Sequence, residues 1–129
     1  MKQASVIIIP VGSNFLSLVK NNKFGLIGGS LDSPETPFQC AMRELYEETG
    51  LRSDPNNLVF LASNHDESGV LSHLYASAVC LHQAPSHSTP EGKLAIATKS
   101  QLLSDDARFP IWNKWAFYMY DKWRFYGYV

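Results

Sequence analysis

Apolar runs and polar breaks divide this chain into short strands, one sharply bounded helix and an aromatic tail. ASVIIIPV, from Ala4 to Val11, is almost unbroken in apolar and β-branched residues, the pattern of a central strand covered on both faces. NFLSLVK follows the turn signal GSN as a second strand, and NNK makes the next turn. FGLIGGSLDSPE reads as a short strand running into a glycine-rich loop, and NLVFLASNHD and VLSHLYASAVCL flank ESG as a hairpin. HQAPSHSTPEGK is polar, proline-rich and expected to be mobile, and LAIATKSQLL mixes strand and turn character. IWNKWAFYMYDKW predicts a C-terminal helix. No repeat or linker interrupts the order, so a single domain over residues 1–129 is expected, α/β in class, with helices around a mixed sheet.

The marked helix has legible ends. Thr36 suits the N-cap, Pro37 the first helical position, and Gln39 completes a T-x-x-Q capping box. Gly50 suits the left-handed C-terminal cap, so the helix is expected from Pro37 to Thr49. Phe38, Ala41, Met42, Leu45 and Thr49 then form an apolar stripe. Glu44, Glu47 and Glu48 cluster beside it at helical spacing, where like charges cost roughly 0.2–0.5 kcal/mol per pair. They also lie toward the negative end of the helix dipole. A solvated acidic face is the plain explanation. The paired glycines of GLIGGS and the nearby Arg43, which can pair with Glu35, favour a cage for a hard divalent cation instead. Cys40, one turn before Glu44, has no histidine placed to activate it and reads as a small residue packed under the glycine loop.

Charge and composition narrow the partners. A formal net charge of −1 argues against a broad nucleic-acid or anionic-membrane surface, while a free nucleotide needs only local charge. Two cysteines without CxxC spacing and four histidines without ligand spacing exclude a zinc or disulfide scaffold and point to a reducing compartment. SVIIIPVG is too short for a signal peptide's apolar region followed by cleavage, and no run reaches the roughly 20 apolar residues of a membrane span. A cytoplasmic protein is expected.

From Gly29 to Leu51 the chain reads G-SLDSP-E-TPFQCAM-RE-L-Y-EE-T-GL. This resembles the Nudix box, Gx5Ex7REUxEExGU with U apolar, with every defining position filled; the lead-in FLSLVKNNKFGLIGGSLD is also similar to that family's. The resemblance implies a Nudix-type α/β/α sandwich around a mixed β-sheet. It implies an enzyme that uses Mg²⁺ or Mn²⁺ to hydrolyse nucleoside diphosphates linked to another moiety. By position, Glu44, Glu47 and Glu48 would bind metal, with Glu44 or Glu47 as the catalytic base and the Gly28 carbonyl as a further ligand. Glu35 and Arg43 would be the structural pair, Lys20 or Lys23 would meet a substrate phosphate, and Glu91 would be an extra acid. Ile27 stands where the family usually has proline, and Asp32 replaces a longer acid, which bears on loop shape and substrate fit.

The markers of ADP-ribose and dinucleoside polyphosphate enzymes are absent from NHDESG, which leans the substrate toward (deoxy)nucleoside triphosphates. DDARFPIWNKW is similar to the region of MutT-like triphosphatases where FPxxN supplies a base-contacting asparagine; Asn113 would take that role, with Phe109 or Trp112 near the ring. The aromatics read more simply as core. The alternatives are an ADP-ribose or nucleotide-sugar pyrophosphatase and, in another class, a non-catalytic nucleotide sensor. The expected partner is a small nucleotide, with no membrane or nucleic-acid scaffold; homodimer formation is an open expectation.

Overall fold

The computed structural model describes residues 2–127. One sheet runs in spatial order β5 (Ile27–Ser30), β1 (Gln3–Ile8), β7 (Leu71–Ser77) and β6 (Leu58–His65). β1 is parallel to β7 and antiparallel to β5, and β6 is antiparallel to β7, so the sheet is mixed. The other sheet is antiparallel: β2 (Pro10–Val11), β3 (Asn14–Lys20), β9 (Gly92–Ala97) and β8 (Ser88–Thr89), with β4 (Lys23–Gly25) on the second side of β3.

The apolar run at the start of the chain serves two cores. Ile7 and Ile9 pack with Ile27, Ala41, Leu45 and Tyr75, whereas Ile8 packs on the opposite face with Phe15, Leu74, Phe117 and Tyr120. Strand residues alternate faces, so a strand buried on both sides needs apolar residues at every position. The first core is closed by α1 (Pro37–Thr49), the second by α2 (Lys99–Leu103) and α3 (Pro110–Tyr126).

α1 has the expected bounds. Thr36 Oγ1 accepts from Gln39 N at 3.2 Å, Gln39 Oε1 accepts from Thr36 N at 2.9 Å, and Gly50 closes the helix at φ +74°. Buried Ser5 of β1 donates to Pro37 O at 2.7 Å and seats the first turn on the sheet.

Four stretches differ from the sequence reading. FGLIGGS holds two strands, β4 and β5, which part at Leu26 and enter different sheets. The polar stretch expected to be mobile contains β8 and docks on α1, through His87 Nε2 donating to Glu47 O at 2.9 Å. LAIATKSQLL divides cleanly into β9 and α2, because Thr98 and Gln101 form a second capping box. α3 begins one residue earlier and ends three residues later than its predicted core, with Gly127 in the left-handed cap.

The start of α3 has no capping side chain of its own. Glu67, at the tip of the β6–β7 hairpin, supplies one: its carboxylate accepts from Ile111 N at 2.9 Å and Trp112 N at 3.1 Å. Trp112 Nε1 returns a bond to Asn64 O at 3.0 Å. A carboxylate on orphan N–H groups at the positive end of a helix is stabilising. Glu67→Ala is therefore expected to lower unfolding free energy by about 1–2 kcal/mol with an unchanged m-value in urea denaturation; an unaltered midpoint would show that solvent caps the helix equally well.

Candidate functional site

Cys40, Glu44 and Glu48 recur at every fourth position and form one row along α1, buried against β5. The row fits because β5 presents Gly28 and Gly29 to it. Gly28 has φ +155°, and a Cβ there would lie 2.2 Å from Ser5 O on the neighbouring strand. A Cβ on Gly29 would lie 2.5 Å from Glu44 Oε1. The glycine pair thus lets a helix carrying carboxylates lie directly on a sheet edge.

Glu44 is 8% exposed and Glu48 2%. Gly28 N donates to Glu48 Oε1 at 2.8 Å, yet burial outweighs that bond and pushes the Glu48 carboxyl up to about 8. Glu44 is also raised, first by burial, with Arg43 opposing. Glu91, in the β8–β9 turn, completes the group: one oxygen from each of Glu44, Glu48 and Glu91 lies within 4.8 Å of the others. These are all oxygen donors, and two are deprived of water. This set fits a hard divalent cation, whose charge would relieve both the repulsion and the burial cost.

Arg43 organises the outer side. Its Nε meets Glu35 Oε2 at 2.7 Å and Asp32 Oδ2 at 3.4 Å; its Nη1 meets Glu44 Oε1 at 2.8 Å and Glu47 Oε1 at 3.0 Å; its Nη2 donates to Ser30 O at 3.0 Å. Glu35 and Arg43 are therefore paired, and the guanidinium holds the Glu35 carboxyl down at about 2. Glu47 sits at the outer edge of the row, half exposed and turned to Arg43, outside the group formed with Glu91. Cys40 Sγ donates to Gly29 O at 3.3 Å, and burial lifts its thiol to about 11, so it packs rather than reacts.

Beyond the glycine pair lies a cavity of about 280 Å³. Gly28, Gly29 and Ser30 form its near wall; Phe109, Trp112 and Asn113, at the start of α3, form the far one. The placement separates the two residue classes expected to touch substrate. Asn113 and Phe109 reach the cavity, and Asn113 Nδ2 is fixed by Leu102 O at 2.9 Å. Lys20 and Lys23 do not line it: they are register partners across the β3–β4 turn, and Lys23 Nζ donates to Asp105 O at 2.6 Å. Strand pairing carries both lysines away. Three residues not singled out in the sequence also shape the site: His87, which anchors the segment leading to Glu91; Glu67, which fixes the start of α3; and Arg108, on the cavity wall.

The NUDIX domain family model matches residues 1–108. The chain belongs to the Nudix family. Solved structures agree on the fold. A Nudix hydrolase family member from Chromobacterium violaceum is similar at TM-score 0.73 and 20% identity, over 97% of this chain and 79% of that one. The MutT mutator protein from Bacillus halodurans is similar at TM-score 0.67 and 21% identity, over 92% and 80%. An ADP compounds hydrolase gives TM-score 0.69 and 20% identity, over 95% and 72%. As a Nudix hydrolase the chain acts on pyrophosphate bonds of small nucleotide substrates. No helix among the described residues is long and apolar enough to cross a membrane.

Because Glu35 titrates near 2 in the folded chain against an ordinary 4.5, its contribution is fully present above pH 4.5 and is lost as pH falls toward 2. Glu35→Gln is expected to cost about 2 kcal/mol at neutral pH, the worth of a charge-assisted pair. The gap from the wild type should close in denaturant titrations between pH 4.5 and 2; a gap that persists undiminished at pH 2 would assign the loss to packing.

Proposed function

We propose that this Nudix hydrolase cleaves (deoxy)nucleoside triphosphates to the monophosphate and pyrophosphate with Mg²⁺ or Mn²⁺. The observation that supports this is the shared glycine wall. Gly28 and Gly29 touch Glu48 and Glu44 on one side and line the cavity on the other, so an anhydride at the carboxylates leaves a base beside Asn113 and the α3 aromatics. Glu44, Glu48 and Glu91 would hold the ion, and by the resemblance Glu47 and the Gly28 carbonyl would be further ligands. When bound, the cation screens phosphate charge and acidifies water.

The residues themselves do the rest. The glycine pair admits the phosphate chain close to the backbone. Glu44 or Glu47 accepts the proton of the attacking water, and Arg43 holds both carboxylates in place through Nη1. Water adds to phosphorus, the anhydride P–O bond breaks, and pyrophosphate leaves with the electron pair.

The test is a product-resolved screen of nucleoside triphosphates, ADP-ribose, nucleotide sugars and dinucleoside polyphosphates with Mg²⁺ and Mn²⁺. Triphosphate turnover to monophosphate and pyrophosphate, reduced about 10²–10⁴-fold in Glu47→Gln or Glu44→Gln, is expected. Turnover of ADP-ribose or sugars alone would replace the triphosphate reading, and nucleotide binding without any turnover would make the protein a sensor. Independently of activity, Mg²⁺ should raise the melting temperature of the wild type and not that of Glu48→Gln.

A further inference from the structure

Arg108 is a cation without a hydrogen-bonding partner, and its charge is felt at buried Glu48, where it opposes the upward push of burial. Its guanidinium makes no hydrogen bond or ion pair among the described residues, and its Nε is buried with no acceptor. Such a group costs free energy unless something else satisfies it. Its position is imposed by the backbone: Phe24 N donates to Asp106 O at 2.8 Å and Arg108 N to Phe24 O at 2.9 Å, which clamps the segment before α3 to β4. The side chain then lies over Gly25, where a Cβ would stand 2.1 Å from Nη2. Gly25 clears the slot that the guanidinium occupies.

The same cavity wall carries Asn113. Only a nitrogen can donate to the Leu102 carbonyl, so the bond from Nδ2 settles which way the amide faces. Oδ1 carries no hydrogen bond among the described residues. The far wall therefore offers guanidinium donors from Arg108 beside an amide acceptor from Asn113, with Phe109 and Trp112 adjacent.

We propose that Arg108 joins Asn113 in reading the base, and that the pair selects a keto base. A lactam edge, as in guanine, hypoxanthine, uracil or thymine, sets a carbonyl acceptor beside an N–H donor, and so answers Arg108 and Asn113 together. An amino base bound in the same pose sets its N–H₂ against the guanidinium donors and its bare ring nitrogen against Oδ1. Arginine pairs strongly with base carbonyls, and a matched contact of this kind is worth tenfold or more in discrimination. This rests on the nucleotide reading of the site and narrows it to a base class.

Calorimetric titration with GMP, UMP, AMP and CMP, and with guanosine and adenosine, tests it without hydrolysis. The wild type should bind GMP and UMP at least tenfold tighter than AMP and CMP, and guanosine tighter than adenosine. Arg108→Met should lose that margin through weaker keto binding, with AMP and CMP unchanged. Its melting temperature should not fall, because the guanidinium removed makes no hydrogen bond or ion pair among the described residues. Gly25→Ala, which evicts the guanidinium from its slot, should copy the loss. Equal affinity for all four monophosphates, binding of none, or an equal loss of all four in Arg108→Met (a phosphate contact) would each overturn the inference. Triphosphate hydrolysis with no base bias would overturn it while leaving the hydrolase intact. Keto-selective binding without turnover would do the reverse.

Discussion

Glu44 and Glu48 are kept out of water one helical turn apart, and much of the surrounding structure follows from that constraint. Desolvating a carboxylate costs several kcal/mol, and two side by side cost more because each repels the other. The chain offsets part of this with the Gly28 N–H on one acid and the Arg43 guanidinium on the other. What remains uncompensated is a local excess of negative charge, the condition under which a divalent cation binds with a stabilising effect on the fold. The geometry tolerates no slack. The capping box starts the helix at Pro37, Ser5 fastens that turn to β1, and a shift of one residue would present Leu45 and Thr49 to the glycine edge instead.

Arg43 carries the complementary task. One guanidinium meets Asp32, Glu35, Glu44 and Glu47 and a backbone carbonyl, which a lysine's single ammonium cannot do in a fixed plane. It therefore ties the loop between β5 and α1 to the helix and sets the outer limit of the carboxylate row. Glu47 stays on the wet side of that limit while Glu44 straddles it, so neighbouring acids of one helix occupy different dielectric surroundings.

The legible parts of the sequence were those written in local spacing. α1 could be bounded from Thr36, Pro37, Gln39 and Gly50 because capping is decided within a few residues. The carboxylate row could be seen because i, i+4 neighbours share a face. The two-faced burial of β1 showed in its unbroken apolar run. What escaped depends on contacts between distant segments. Glu91 was named as an extra acid by the family resemblance alone, because no local spacing shows the β8–β9 turn folding back onto α1; Glu67, which was not named, caps a helix that begins more than forty residues later in the chain. FGLIGGS read as a short strand running into a glycine-rich loop because its pattern does not reveal that two sheets divide it at Leu26. Lys20 and Lys23 had suitable charge, but the register of β3 with β4 decides where a turn lysine stands.

The hairpin between β6 and β7 contributes Asp66, Ser68 and Val70 to the cavity, and its Glu67 grips the first turn of α3, which forms the wall facing the glycine pair. Hairpin tip and helix start are therefore yoked, and neither can move outward without dragging on the other. Lengthening or shortening this tip would recalibrate the aperture of the cavity while leaving every carboxylate on α1 where it is. The chain thus holds an adjustable gauge for ligand size, separate from the carboxylate row.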